Sequence, residues 1–494
     1  MTTATQTDFE PVIGLEVHVQ LKTRSKMFCR CEVRFGAPAN SLTCPVCLGL
    51  PGALPTVNRQ AIEHGIRIGL ALNCQIAHRV KFDRKNYFYP DLPKGYQVSQ
   101  YDEPLCFDGE LQMPIMDASG NPKICRITRA HLEEDAGKSI HMGHSTLVDL
   151  NRAGTPLVEI VGGPDLRSPE EAYVYLTTLK RNLSYLGVSD LSMEKGSLRC
   201  DANVSVRPRG QEKFGVRSEI KNLNSFRAVR AALEFEIRRH VSVVEGGGKL
   251  TQETRLWDEE KLETRSLRSK EEATDYRFFP EPDLTTFDVP RDWVQRVQAT
   301  LPEMPEKRLL RFLHDFKLNR ADAEFLVGDK ELADWYEAVL KLYDEPRKVA
   351  AWVVVEVNRE LQERHLEISQ LPVTPERLVE LIKLLDAGKL NNITAKEVFK
   401  AMAETGEGAM ATAKRLGRLI EQDEGEVDRA IEDVITEFKD KAVADYLRGE
   451  TKVLGFLVGQ AMRKLKGKAN PKDLGQKLEA ALKQKQEPGA QATG

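Results

Sequence analysis

Near residue 295 the apolar residues change period, and this switch constrains the fold more than any other feature of the chain. Upstream, short alternating segments lie between turn signals. Ile13-Gly14-Leu15-Glu16-Val17-His18-Val19-Gln20-Leu21 alternates apolar and polar positions as a half-buried strand does. Tyr89-Pro90-Asp91-Leu92-Pro93-Lys94-Gly95 is dense in chain breakers, and Ala118-Ser119-Gly120-Asn121-Pro122 reads as a hairpin loop. Two helices interrupt this β-rich part. One starts at Ser168 (N-cap) and Pro169, has Glu171 three residues after the cap, and stops at Gly187. The other runs from about Phe226 to Val244, before Gly246-Gly247-Gly248. Downstream, strand signals vanish. Leu309, Phe312 and Phe316, then Leu332, Trp335, Val339 and Leu340, then Val379, Ile382 and Leu385, keep helical spacing. The expectation is an α+β chain: an antiparallel-sheet-based domain over residues 1–295, an all-helical domain over 296–415, a small helical tail domain over 416–485, and a loose end at 486–494.

Charge refines the last division. Lys and Arg total 72 against 75 Asp and Glu, which excludes a histone-like protein but not a local basic patch. Glu421 to Asp440 carries nine acids against two bases, whereas Arg448 to Lys485 has a net charge of +7. Arg463, Lys464, Lys466 and Lys468 are candidates for nucleic-acid backbone contact. The same residues also fit a solvated helix face. Aromatic interleaving is poor, with Tyr446 and Phe456 alone, so any RNA contact there should grip shape rather than stack on bases. No apolar run approaches the ~20 residues a membrane span needs. With no secretory signal visible and eight cysteines too sparse for a disulfide scaffold, the expected setting is the cytoplasm.

Two groups of residues could carry chemistry. Cys29, Cys31, Cys44 and Cys47 form C-x-C, twelve residues, then C-x-x-C. Two close thiolate pairs can converge on one tetrahedral Zn²⁺, closed and structural. The alternative is four ordinary reduced cysteines, but the remaining four are scattered along the chain. Glu16 and His18, two apart on an expected strand, share a face. A Glu-x-His pair alone also fits a solvated face. His131-Leu132-Glu133-Glu134-Asp135 and the carboxylate of Glu159, inside an apolar strand, add acids that need solvent, a partner or a metal. Were they to meet, a hard cation such as Mg²⁺ would fit best. Ala136-Gly137-Lys138-Ser139 imitates the end of a phosphate loop, but Leu132 stands where its first glycine belongs.

These residues carry a resemblance. Ile13–Leu21, Cys44-Pro45-Val46-Cys47-Leu48-Gly49-Leu50-Pro51-Gly52, Lys85-Asn86-Tyr87-Phe88-Tyr89-Pro90-Asp91-Leu92-Pro93-Lys94-Gly95-Tyr96, His131–Lys138, Gly154-Thr155-Pro156-Leu157-Val158-Glu159-Ile160 and Ser218-Glu219-Ile220-Lys221-Asn222-Leu223-Asn224-Ser225 stand in the order of the GatB proteins of tRNA-dependent amidotransferases. The chain resembles that family over nearly its whole length. The resemblance implies a cradle-shaped catalytic domain, a helical domain and a tRNA-contacting tail. It implies an ATP-dependent carbon–nitrogen ligase that phosphorylates the side-chain carboxylate of Glu-tRNA(Gln) or Asp-tRNA(Asn). Ammonia then amidates it. The resemblance further implies that GatA, an amidase, releases that ammonia from glutamine, and that the small protein GatC completes a GatCAB heterotrimer. Carried over by motif, Glu16, His18, Glu133 and Glu159 line a Mg²⁺ site and carry the catalysis. Lys85, Lys94 and Lys221 bind ATP phosphates, and Cys29, Cys31, Cys44 and Cys47 hold zinc. Two other readings compete: a non-catalytic component that holds tRNA, and a free-standing metallohydrolase built on the Glu/His set.

Overall fold

A computed structural model describes residues 8–117, 119–269, 276–420, 424–465, 469 and 471–484. The chain divides into two compact units between Lys307 and Arg308.

The first unit is built on a nine-stranded sheet. Its strands are β1 (Phe9–Gln20), β2 (Gln75–Ile76), β3 (Cys106–Met116), β4 (Pro122–Glu134), β5 (Pro156–Gly162), β6 (Leu198–Pro208), β7 (Ser218–Leu223), β8 (Glu253–Asp258) and β9 (Glu263–Ser269). Across the sheet they run β9-β8-β7-β6-β1-β5-β4-β3-β2. Every pairing is antiparallel except β7 with β8. A parallel pair needs a long crossover, and the helix α3 (Phe226–Glu245) provides it. Thus the alternation around Glu16 does mark a strand, and it is the strand on which the sheet is centred.

Alternation decides what each face of the sheet meets. Leu15, Val17 and Val19 of β1, Ala130 and Leu132 of β4, Val158 and Ile160 of β5, and Cys200 and Ala202 of β6 point to one side and are buried. The core on that side includes Ile62 and Ile66 of helix α1 (Arg59–Ala71), Leu176, Leu179 and Leu183 of helix α2 (Pro169–Leu186), and Val229, Ala232 and Leu233 of α3. The α2 ends follow the sequence signals. Ser168 caps the Glu171 N–H, Pro169 opens the helix, and Gly187 closes it in the left-handed region at φ 65°. Glu171 turns back to accept from the Arg167 N–H at 2.6 Å. The sheet's other face carries Glu16, His18, Arg129, His131, Glu133, Glu159, Arg199 and Asp201, placed there by the same register.

A small sheet of Asp83–Asn86, Tyr96–Ser99 and Phe279–Pro280 joins the end of β4. There the Val98 N–H donates to Glu134 Oε1 at 2.9 Å and Gln97 Nε2 to the Glu134 carbonyl at 2.8 Å.

The second unit is helical among its described residues. Its last helices, Glu424–Glu437, Leu454–Lys464 and Pro471–Gln484, gather Val434, Leu457, Ala461, Leu474 and Leu478 into a small core of their own.

Candidate active site

Three neighbouring strands meet at the middle of the polar face, β1 bringing His18, β5 Glu159, and β4 both His131 and Glu133. The register sets His18 of β1 opposite Glu159 of β5, and Glu159 opposite His131 of β4. His18 Nε2 lies 3.5 Å from Glu133 Oε1 and 3.8 Å from Glu159 Oε2. Donor atoms of His18, Glu133 and Glu159 all fall within 4.8 Å of one another, a set compact enough to close on one divalent ion. Glu133 is almost fully buried, with the Ser99 hydroxyl 3.5 Å from its Oε2. Burial alone would raise the Glu159 carboxyl. The hydrogen bond from His131 and the charges of His131, His18 and Lys85 outweigh it and hold Glu159 below the usual carboxylate range.

His131 is the residue that sequence reasoning passed over. It is buried, and its Nε2 lies 3.1 Å from Glu159 Oε2 and 3.9 Å from Glu133 Oε2, while Nδ1 has no hydrogen-bond partner among the described residues. With Nε2–H donated to Glu159, His131 orients that carboxylate toward His18. The usable signal was its position two residues before Glu133, which on a strand means the same face. Arg129, two residues earlier again, also stands on this face, and its buried Nε has no hydrogen-bond partner among the described residues.

Glu16 sits one step along β1, outside the set of three. Asn203 Nδ2 donates to its Oε1 at 2.9 Å. Burial, then repulsion from Glu159 and Glu219, pushes its carboxyl above the ordinary range. Beside it opens a cavity of about 710 Å³, lined by Val161, Asn203, Phe214, Arg217 and Gln252.

The three lysines take different places. Lys85 has its ammonium 4.9 Å from the Tyr276 ring centre and lies near enough to Glu159 to help lower it. Lys221 pairs with Asp201 at 2.5 Å and Glu219 at 2.8 Å. Burial opposes its charge, yet those two acids hold the amine above its ordinary value. Lys94 pairs instead with Glu134, which strand alternation turns away from Glu133. It lines a second cavity, together with Cys29, Cys47 and Gly49.

The four clustered cysteines converge. One sulfur from each of Cys29, Cys31, Cys44 and Cys47 lies within 4.8 Å of the others, and none is in a disulfide. A tetrahedral Zn–thiolate centre with ~2.3 Å bonds has sulfurs about 3.8 Å apart. Cys44 and Cys47 Sγ are 3.9 Å apart. The hydrogen bond from Cys29, the Cys44 N–H and the Lys26 ammonium pull the Cys47 thiol down to about 4. All four donors are soft and leave no open position, so the cluster fits a closed structural metal site.

In the tail, Arg463 is exposed, whereas Lys464 lies 2.8 Å from Glu437 and 3.9 Å from Asp433 of the acidic helix. Lys466 and Lys468 lie outside the described residues.

Residues 11–295 match the family described as the GatB/GatE catalytic domain, and residues 334–482 match the one described as the GatB domain. Curated relatives resemble the chain over nearly its full length. The B subunit of the aspartyl/glutamyl-tRNA(Asn/Gln) amidotransferase of Carboxydothermus hydrogenoformans is 49% identical over 480 residues, covering 96% of this chain and 99% of the relative. The same-named proteins of Chlorobaculum tepidum and Geotalea daltonii are 50% and 51% identical, covering 96% and 94% of this chain and 99% and 97% of their own.

Proposed function

The chain belongs to the GatB/GatE family, and from that premise we propose that it is the component of a tRNA-dependent amidotransferase that activates and amidates the misacylated tRNA. The substrates are Glu-tRNA(Gln), Asp-tRNA(Asn) or both, and the products Gln-tRNA(Gln) or Asn-tRNA(Asn). The amidase GatA releases ammonia from glutamine, and the small protein GatC completes the heterotrimer in the cytoplasm.

The observation that carries this reading is the meeting of His18, Glu133 and Glu159 on the polar face of the sheet. A carboxylate resists attack by ammonia because it is anionic and resonance-stabilised. One of its oxygens therefore attacks the γ-phosphorus of ATP, ADP leaves, and an acyl phosphate forms. Ammonia then adds to the acyl carbon, inorganic phosphate departs with the bonding pair, and a proton is lost to give the amide. Mg²⁺ held by His18, Glu133 and Glu159 would neutralise charge as the phosphoryl group moves between anions. His131 keeps Glu159 turned toward that set, and Glu16 borders the cavity. The cavity is roomy enough for a nucleotide, with apolar walls such as Phe214 and Val161 for a base and Arg217 for charge. Lys85 is the best placed of the lysines to meet a phosphate, because Lys94 and Lys221 already face carboxylates. The four cysteines hold structural zinc. The tail, with Arg463, Lys464, Lys466 and Lys468, contacts tRNA backbone.

The direct test incubates the assembled complex with ATP, Mg²⁺ and each misacylated tRNA. Hydroxylamine-trappable acyl phosphate without an ammonia source, and amide with one, are expected. Amide formation without ATP consumption would overturn the reading.

A further inference from the structure

Lys26 is fully buried, at 0% exposure, and no carboxylate pairs with it among the described residues. Its ammonium donates to two groups, Cys47 Sγ at 3.6 Å and the Leu150 carbonyl at 3.3 Å. A lysine ammonium is rarely buried without an opposing charge, because removing it from water is costly. Among the described residues, the thiolate cluster is the anion that its ammonium bonds, whereas the Glu134 carboxylate, which also borders Gly154, is paired with Lys94. Four thiolates around a divalent ion carry a net charge of about −2, itself costly to bury, so each side supplies what the other lacks. The surroundings leave the lysine little choice of position. Its backbone N–H donates to the Cys31 carbonyl at 2.9 Å, and a Cβ built on Gly154 would stand 3.5 Å from both Lys26 Cδ and Cys47 Cβ.

We propose that Lys26 is the charge partner of the four-cysteine metal cluster, its ammonium bonded to Cys47 so that the loaded cluster and the lysine form a unit of net charge −1. The assignment rests on reading the four cysteines as a metal site. Through its second bond, to Leu150, the same ammonium ties the cluster to the turn that leads into β5 and Glu159. Lys26 is thus a positioning residue for the metal and does not touch substrate.

The test compares the full chain with Lys26→Met, which keeps the apolar stem, and Lys26→Gln, which keeps an N–H donor without charge. Zinc affinity is measured by competition with a chromogenic chelator, and the thiolate-to-metal charge-transfer band is recorded after Co²⁺ substitution. Loss of an outer-sphere partner should weaken zinc binding about 10–100-fold in Lys26→Met. Removing the hydrogen bond raises electron density on sulfur, so the Co²⁺ band should shift to longer wavelength, and less so in Lys26→Gln. Wild-type affinity and an unshifted band in either soluble variant would overturn the proposal, since a merely space-filling lysine is replaced by methionine without consequence for the metal. A wild-type chain that binds no zinc tightly would instead overturn the reading of the cysteines on which it rests.

Discussion

His131 shows what one side chain contributes when its neighbours come from different strands. Its Nε2 bonds to Glu159, which faces His18, and the three positions are spread over more than a hundred residues of sequence. Replacing His131 with Ala should free Glu159 to rotate. The Mg²⁺ concentration for half-maximal acyl-phosphate formation is expected to rise about 10–100-fold, with His131→Gln, which keeps a donor, recovering much of it. A Mg²⁺ titration of each variant checks this. Glu16, His18 and Glu159 stand out locally as polar groups inside apolar alternations, but only the family resemblance marks them as site residues and picks Glu133 from the neighbouring Glu134 and Asp135. The lysines could not be sorted that way. Whether Lys94 meets Glu133 or Glu134 depends on which side of β4 the small sheet joins, and Glu134 takes it. Such pairings are set by tertiary register and leave no local trace.

At the scale of elements, α3 does more than cross from β7 to β8. It carries Glu236, fully buried, into a polar knot between helix and sheet edge. Thr264 Oγ1 donates to it at 2.7 Å, Arg239 Nε lies at 3.0 Å, His240 Nε2 at 3.2 Å and Arg255 Nε at 3.4 Å, with Glu253 bridging the two arginines. Burial would raise the Glu236 carboxyl, but the bonds from His240, Arg239 and Thr264 outweigh it and hold it well below the usual carboxylate range. A depressed carboxyl stabilises the fold above its unfolded value of about 4.3, and that contribution is lost as pH falls from there toward the folded value. Glu236→Gln should therefore cost about 3–5 kcal/mol near neutrality, with the gap to wild type narrowing below about pH 4. Thermal unfolding of both proteins across pH measures it. The ends of α2 were readable from Ser168, Pro169 and Gly187, since caps act within a few residues, whereas the Ser225 cap of α3 is seen only in the structure. The parallel pairing of β7 with β8 was not, because it arises only once α3 docks on the sheet.

For the whole molecule, the near-neutral charge is not simple cancellation between distant parts. Lys464 faces Glu437 and Asp433, and Lys477 lies 3.8 Å from Asp428, so part of the basic tail is matched by the acidic helix beside it. Sequence showed the two blocks but not that they pack together. The helices from Glu424 onward have their own core, whereas Ile420 is buried and its N–H bonds to the Lys389 carbonyl at 2.9 Å. A clean truncation therefore ends after Ile420. In the assembled complex it should weaken tRNA binding and flatten the dependence of affinity on salt, leaving glutamine hydrolysis unchanged. Filter binding over a salt series reads both. A slope equal to that of the full chain would place the phosphate contacts elsewhere.

Under the proposed function, the side-chain carboxylate of the aminoacyl group is phosphorylated where His18, Glu133 and Glu159 meet. The most direct test of this placement is single-turnover formation of acyl phosphate, trapped as the hydroxamate, by the assembled complex carrying Glu133→Gln or Glu159→Gln. The expected result is a loss of at least about 100-fold, with tRNA affinity and glutamine hydrolysis retained. Hydroxamate formed at the wild-type rate by both variants would contradict it.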